Sequence, residues 1–335
     1  MQRRAEESVV PESAWQRAVA AIRAAQRPLL VCHVNPDGDA LGSMLGCALG
    51  LRTLGHQVQA TFPGNQALPE VFTSTLPGIE MLTPPERTHR DPDLLLTFDA
   101  ASVERLGEFV DRMPGAAEVV VLDHHASNPG FGTVNLIDPS AAATAMVVDE
   151  LLRRLGVPLD RPIAECLYVA LSTDTGSFKY QATTPAVHAF AARLLEAGVD
   201  QYEISRRLFD ARPFGALRVF GEALGRIQLE PDAAGGAGFV WTYATLDDLE
   251  RHHQPGYVLE SLIDVVRSAE EADVACVAKQ IAPDEWAISM RSRGAVDVAA
   301  VATTLGGGGH RYAAGFTGRG ELAGIVDAIR TALNA

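Results

Sequence analysis

Three short aliphatic runs, at 29–33, 94–99 and 119–123, each end on an imidazole or a carboxylate. Near-continuous Leu and Val is the pattern of a strand covered on both faces, as in a parallel sheet flanked by helices. A further run at 57–62, ended by Pro63 and Gly64, predicts another strand. Side chains at the C-terminal ends of such strands line the edge where open α/β sheets bind ligands. His33, Asp99, Asp123, His124 and His125 all fall on that edge.

The first run leads into HVNPDGDALGS, residues 33–43. Pro36 and Gly38 turn the chain sharply, and an amphipathic helix is predicted over 40–54, stopped by Gly55. The turn presents His33, Asp37 and Asp39 with no basic residue nearby. Such a group is unfavourable unless a cation sits among its members. Apolar spacing predicts further helices over 14–26, 140–155 and 163–172, with Asp174 in the turn after the last.

A chain of 335 residues is long for one core and suggests two domains. The Arg-rich stretch 200–228, broken by Pro213 and Gly215, reads as a helical connector. Beyond it the pattern is mixed. A strand is expected at 239–244, a helix at 257–268, a hairpin at 274–281 and 286–291, and helices at 298–305 and 321–333. The expected fold is therefore α/β: an N-terminal domain over 1–205 with a mainly parallel sheet, a connector over 206–230, and a smaller mixed α/β domain over 231–335, with a cleft between the domains.

No apolar run approaches the ~18 residues that span a bilayer, and the N-terminus lacks the apolar core of a signal peptide, so a cytoplasmic protein without membrane attachment is expected. Cys32, Cys47, Cys166 and Cys276 are widely spaced in apolar segments and read as buried thiols. A net charge of −14 argues against a broad surface for long nucleic acid. It leaves room for a short phosphorylated ligand in one cationic pocket. The apolar content of the N-terminal domain would permit a homodimer.

Taken singly, Asp99 and Asp123 are as readily helix caps, His33 a structural histidine and Asp174 a turn residue. Taken together they would gather a large negative charge at one sheet edge, and a pair of divalent cations is the simplest remedy. Imidazole mixed with carboxylate and no thiolate suits Mn²⁺, with Mg²⁺, Fe²⁺ or Co²⁺ as substitutes. A carboxylate bridging two such ions makes a phosphoryl-transfer centre in which a bridging hydroxide attacks phosphorus. A second signal is the run Gly306-Gly307-Gly308-Gly309-His310. It reads as a flexible loop or as backbone that comes very close to an anionic ligand, with Arg291, Arg293 and Arg311 supplying positive charge.

HVNPDGDALGS, Asp99, DHHASN (123–128), STDTGSF (172–178) and GGGGHRYAAG (306–315) together resemble the DHH phosphoesterase superfamily with its DHH-associated C-terminal domain. Their order and spacing are most similar to the NrnA-type oligoribonucleases, which also remove the 3′-phosphate of adenosine 3′,5′-bisphosphate (pAp). The resemblance runs from about residue 28 to the C-terminus. It implies one Mn²⁺ held by His33, Asp37 and Asp99, and a second held by Asp39, Asp99, His124 and Asp174. It implies that His125 contacts phosphate and donates a proton, that Asp123 orients the imidazoles, and that Arg291, Gly308, Gly309 and His310 grip the substrate. Short RNA oligomers and pAp are the substrates it implies. Two other readings use the same residues: a phosphodiesterase acting on cyclic di-AMP or pApA, and a nucleotide sensor without turnover.

Overall fold

In the computed structural model, which describes residues 10–64 and 66–334, the aliphatic runs form a five-stranded sheet. Its strands are β1 (Pro28–Cys32), β2 (Gln59–Thr61), β3 (Leu94–Phe98), β4 (Glu118–Asp123) and β5 (Val134–Ile137). They lie in the order β2-β1-β3-β4-β5, all parallel. Every residue of β1 and β3 is buried, as two-sided cover requires. The strand order reverses between β1 and β3, which is where ligands settle in such sheets. His33 and Asp99 follow these two strands directly. The edge strand β5 has no counterpart in the sequence reading.

Helix α1 (Glu12–Ala24) packs against β5 and α3, and three helices bear on the site: α2 (Gly38–Thr53), α3 (Thr144–Leu155) and α4 (Arg161–Asp174). The expectation that α2 is amphipathic is corrected. Gly38 through Ala48, Gly50 and Leu51 are all buried, so the helix is enclosed around its circumference. The reason is a row of glycines at 38, 42, 46 and 50, four residues apart and hence on one face. A Cβ at Gly38 would lie 2.5 Å from the Thr173 side chain, and one at Gly46 3.1 Å from Leu167. Gly38, Gly42 and Gly46 thus press α2 against α4, with the first turn of one beside the last turn of the other, and Gly50 meets Leu152 of α3. Two helix limits also differ from expectation. Helix α3 starts at Thr144 rather than 140, and α4 runs through Asp174, which sits in its last turn.

The chain divides into two compact units, Met1–Ala211 and Arg212–Ala335. In the second, β6 (Gln228–Glu230), β7 (Phe239–Ala244), β8 (Val274–Ala282), β9 (Glu285–Ser292), β10 (Gly308–His310) and β11 (Ala313–Arg319) form a mixed sheet. Their order is β10-β11-β9-β8-β7-β6, antiparallel except for the β7–β8 pair. Helices Val298–Thr304 and Leu322–Leu333 cover one face, and helices Phe214–Leu224 and Leu262–Val266 the other. The glycine run is not wholly a loop, because Gly308 and Gly309 belong to the edge strand β10. Among the described residues no helix is long and apolar enough to cross a membrane.

Asp248, 1% exposed, accepts from Nη1 and Nη2 of Arg226, each at 2.6 Å, and completes a capping box with Thr245. Burial opposes its charge, but the Arg226 guanidinium holds the carboxyl well below the usual carboxylate range. The stability this adds is complete above about pH 4 and lost as pH falls further. Asp248→Asn is expected to cost about 2–3 kcal/mol at pH 7. Urea melts should show the difference shrinking as pH is lowered below about 4.

Candidate metal centre

The end of β1, the start of α2, the ends of β3 and β4 and the end of α4 converge on one point of the first unit. His33 is 2% exposed, Asp39 0%, Asp99 2% and Asp123 0%. Asp37 caps α2 by accepting the Ala40 N–H at 3.0 Å and is the exposed member of the group. Asp99 has a left-handed backbone, φ 56°, which aspartate tolerates better than most residues.

Nε2 of His33 lies 3.8 Å from Asp37 and 3.5 Å from Oδ2 of Asp99. Nε2 of His124 lies 3.8 Å from Asp39, 3.6 Å from Oδ1 of Asp99 and 3.1 Å from Asp174. All but the last are too long for hydrogen bonds. Donor atoms sharing one ion at 2.0–2.2 Å stand roughly 3–4 Å apart. Asp99, Asp123 and His125 come together in the same way, and two further such groups are His33–Asp37–Asp99 and Asp39–Asp99–His124. Asp99 belongs to both of the latter, with one oxygen turned to each imidazole.

Asp39 accepts from Ser43 Oγ at 2.8 Å, from the Thr144 N–H at 2.6 Å and from the Ala145 N–H at 3.2 Å. The last two donors are the N-terminus of α3, where a helix favours an anion. Thr144 Oγ1 also donates to Asp99 at 2.9 Å. Asp123 accepts the His125 Nδ1–H at 2.7 Å, the His124 and His125 N–H groups, and Asn128 Nδ2 at 2.6 Å. Its lone pairs are committed to orienting its neighbours. His124 points Nδ1 at the Ala141 carbonyl, 3.2 Å away, so Nδ1 carries a proton there and Nε2 faces the carboxylates.

The electrostatics describe a site short of positive charge. Burial, with the charges of Asp99 and Asp174, pushes Asp39 well above the usual carboxylate range. Burial and the neighbouring carboxylates raise Asp174 to about 6 against the pull of His124. Burial alone would keep the imidazoles neutral, yet Asp37 and Asp99 drive His33 up to about 10, and Asp174 and Asp99 raise His124. The side chains take up protons to offset one another, which divalent cations would do without them. The donor set, six oxygen and nitrogen ligands with no thiolate, fits such ions. Metal binding is therefore expected to weaken as pH falls through about 6.

Ser43, Thr144, Asn128 and Arg105 also belong to this site and were not singled out from the sequence. Asn128 lies within DHHASN and could have been found there; Arg105 carried no local signal. In the second unit, Arg291 of β9 and His310 of β10 pair with the same residue of β11, Ala313. They therefore share one face on either side of a small side chain, roughly 10 Å apart across the strands.

The DHH family, N-terminal domain, matches residues 28–171, and the DHHA1 domain matches residues 249–335. The bifunctional oligoribonuclease and PAP phosphatase NrnA of Thermus thermophilus is 33% identical over 300 residues, covering 89% of this chain and 86% of that protein. The chain belongs to the DHH family. The NrnA protein of Bacillus subtilis is 25% identical over 84% of this DHH chain and 86% of its own length. An exopolyphosphatase-related protein from Bacteroides fragilis shares the DHH chain's fold, with a TM-score of 0.86 at 23% identity over 97% of this chain and 96% of that one.

Proposed function

We propose that the chain is a Mn²⁺-dependent hydrolase that degrades RNA oligomers of a few nucleotides to mononucleotides and removes the 3′-phosphate of pAp. Membership of the DHH family makes it a metal-dependent phosphoesterase. The observation that carries the reading is Asp99, one oxygen near His33 and the other near His124, common to both donor groups. His33, Asp37 and Asp99 would hold one cation, and Asp39, Asp99, His124 and Asp174 the other. Bound there, the pair would supply an acidified water and positive charge for the phosphate oxygens.

The remaining residues prepare the substrate. Asp123 fixes the Nδ1–H of His125, leaving the Nε2 side of the ring to contact phosphate or to protonate the leaving oxygen. Arg291 and His310, on one face of the second sheet, would bind the terminal nucleotide. The glycines beside them divide into two kinds. Gly306 has φ 82°, and a Cβ on Gly307 or Gly309 would strike β11. A Cβ on Gly308 meets nothing within 4 Å, so the fold makes no demand for glycine there and the position is open to close approach of a ligand. The net charge of −14 agrees with short substrates rather than long ones. NrnA of T. thermophilus and B. subtilis are named for these two activities.

Initial rates under Mn²⁺ on pAp, RNA of two to five nucleotides, pApA and cyclic di-AMP test the assignment. Turnover of pAp and of RNA to mononucleotides is expected. If both are inert while pApA or cyclic di-AMP is cleaved, the substrate class is wrong. If nothing is cleaved although Mn²⁺ binds, the chain is a nucleotide sensor.

A further inference from the structure

Asn128 lies in a surface turn yet points back at the cluster. Ala126, Ser127 and Pro129 beside it are exposed, whereas Asn128 is half-buried. Its backbone N–H donates to the His125 carbonyl at 3.1 Å, and its Oδ1 accepts the Gly130 N–H at 2.8 Å. Those two bonds shape the turn, and an aspartate would make them as well. The amide nitrogen has a different task. Nδ2 donates to the Ala100 carbonyl at 3.0 Å and to Oδ2 of Asp123 at 2.6 Å. One N–H₂ group, with both protons used, thus ties the residue after Asp99 to the end of β4. Aspartate has no donor for that role.

Asp123 is fully buried, so no solvent stands ready to replace a lost partner. Its Oδ1 accepts the His125 Nδ1–H at 2.7 Å, with the backbone N–H groups of His124 and His125. A carboxylate held by one oxygen can pivot about it, because its terminal torsion is soft. Asn128 holds the other oxygen and so fixes the carboxylate plane. Donors prefer to lie near that plane, which sets the line of the His125 ring and the direction of its Nε2 edge. We propose that Asn128 is the positioning residue for His125, acting through Asp123 and anchored on the segment that carries Asp99. The proposal rests on the reading of His125 as proton donor to the leaving oxygen. A ring that wanders from its line costs rate and leaves substrate affinity close to normal.

The test is a double-mutant cycle between Asn128→Asp and His125→Ala, read as kcat under saturating Mn²⁺ on pAp, or on pApA where pAp is inert. Asn128→Asp keeps the acceptor for Gly130 and removes both donors. Its kcat should fall about 30-fold or more with KM changed less than about threefold. His125→Ala should lose about 100-fold or more. The double variant should stay within about threefold of His125→Ala, because the ring through which Asn128 acts is gone. A double variant lowered by the product of the two factors, or an unaltered kcat in Asn128→Asp, overturns this proposal alone. Titration calorimetry gives the second readout. Mn²⁺ should bind Asn128→Asp no more weakly than wild type, since the Asn128 side chain bonds to none of the proposed ligands. Weaker binding would make Asn128 a support of the metal centre and overturns the proposal too. An unchanged kcat in His125→Ala overturns the assignment of His125 and this one with it, and no turnover of either substrate by the wild type overturns the hydrolase reading beneath both. If Asn128→Asp does not fold, Asn128→Ala carries the same cycle.

Discussion

Replacing Asp99 with asparagine is expected to lower kcat at least about 1,000-fold on pAp while leaving the protein folded. The carboxylate has one oxygen 3.5 Å from His33 and the other 3.6 Å from His124, so both donor groups depend on it. An amide offers one oxygen and one N–H₂, and whichever way it turns, one group faces a donor where it needs an acceptor. The fold has little reason to fail, because asparagine also tolerates the left-handed backbone at φ 56°. The backbone N–H bond from residue 99 to Leu122, 3.0 Å, does not involve the side chain. Mn²⁺ should raise the Tm of the wild-type protein by mass action and fail to do so for Asp99→Asn. Full activity in the variant would remove the bridging role, and a collapsed far-UV spectrum would make the comparison one of folding. Asp99→Ala is the weaker experiment, since alanine fits that backbone poorly.

Much of this site lies open in the sequence because its residues stand where local patterns end. Aliphatic runs mark β1, β3 and β4, and His33, Asp99 and Asp123 come at their ends, so finding the strands finds the edge. What stayed hidden depends on partners far along the chain. Helix α3 has no side-chain cap of its own. Its first N–H groups are satisfied by Asp39, 105 residues earlier, so nothing near residue 144 announces where the helix begins. Arg105 likewise matters through a ring 72 residues away. The strands β10 and β11 contain glycines that read as breakers, yet Gly307 and Gly309 are required because the two backbones lie too close for a Cβ between them. The four-residue β5 is too short to rise above its flanking turns.

The glycine row of α2 was visible at its spacing of four but is meaningful only once its neighbour is known, and it makes the second large effect. Gly42→Leu is expected to leave no folded first unit, and Gly42→Ala to cost about 3 kcal/mol or more. A Cβ at position 42 would overlap the carbonyl oxygen of Cys166 and stand 3.0 Å from the Cβ of Ala170. A carbonyl in the middle of α4 cannot rotate aside as a side chain would, so the two helices must separate. Their contact is what sets Asp37 and Asp39, at the head of α2, against Asp174, at the foot of α4. Separation should therefore reach the metal centre even though residue 42 touches no ligand. For Gly42→Ala the expected result is a urea midpoint shifted in proportion to the lost stability, together with Mn²⁺ affinity reduced about 10- to 100-fold. A variant as stable as wild type would mean that α2 and α4 do not rely on this close approach. A destabilised variant with unaltered Mn²⁺ affinity would mean that the ligands are positioned by their strands and turns alone.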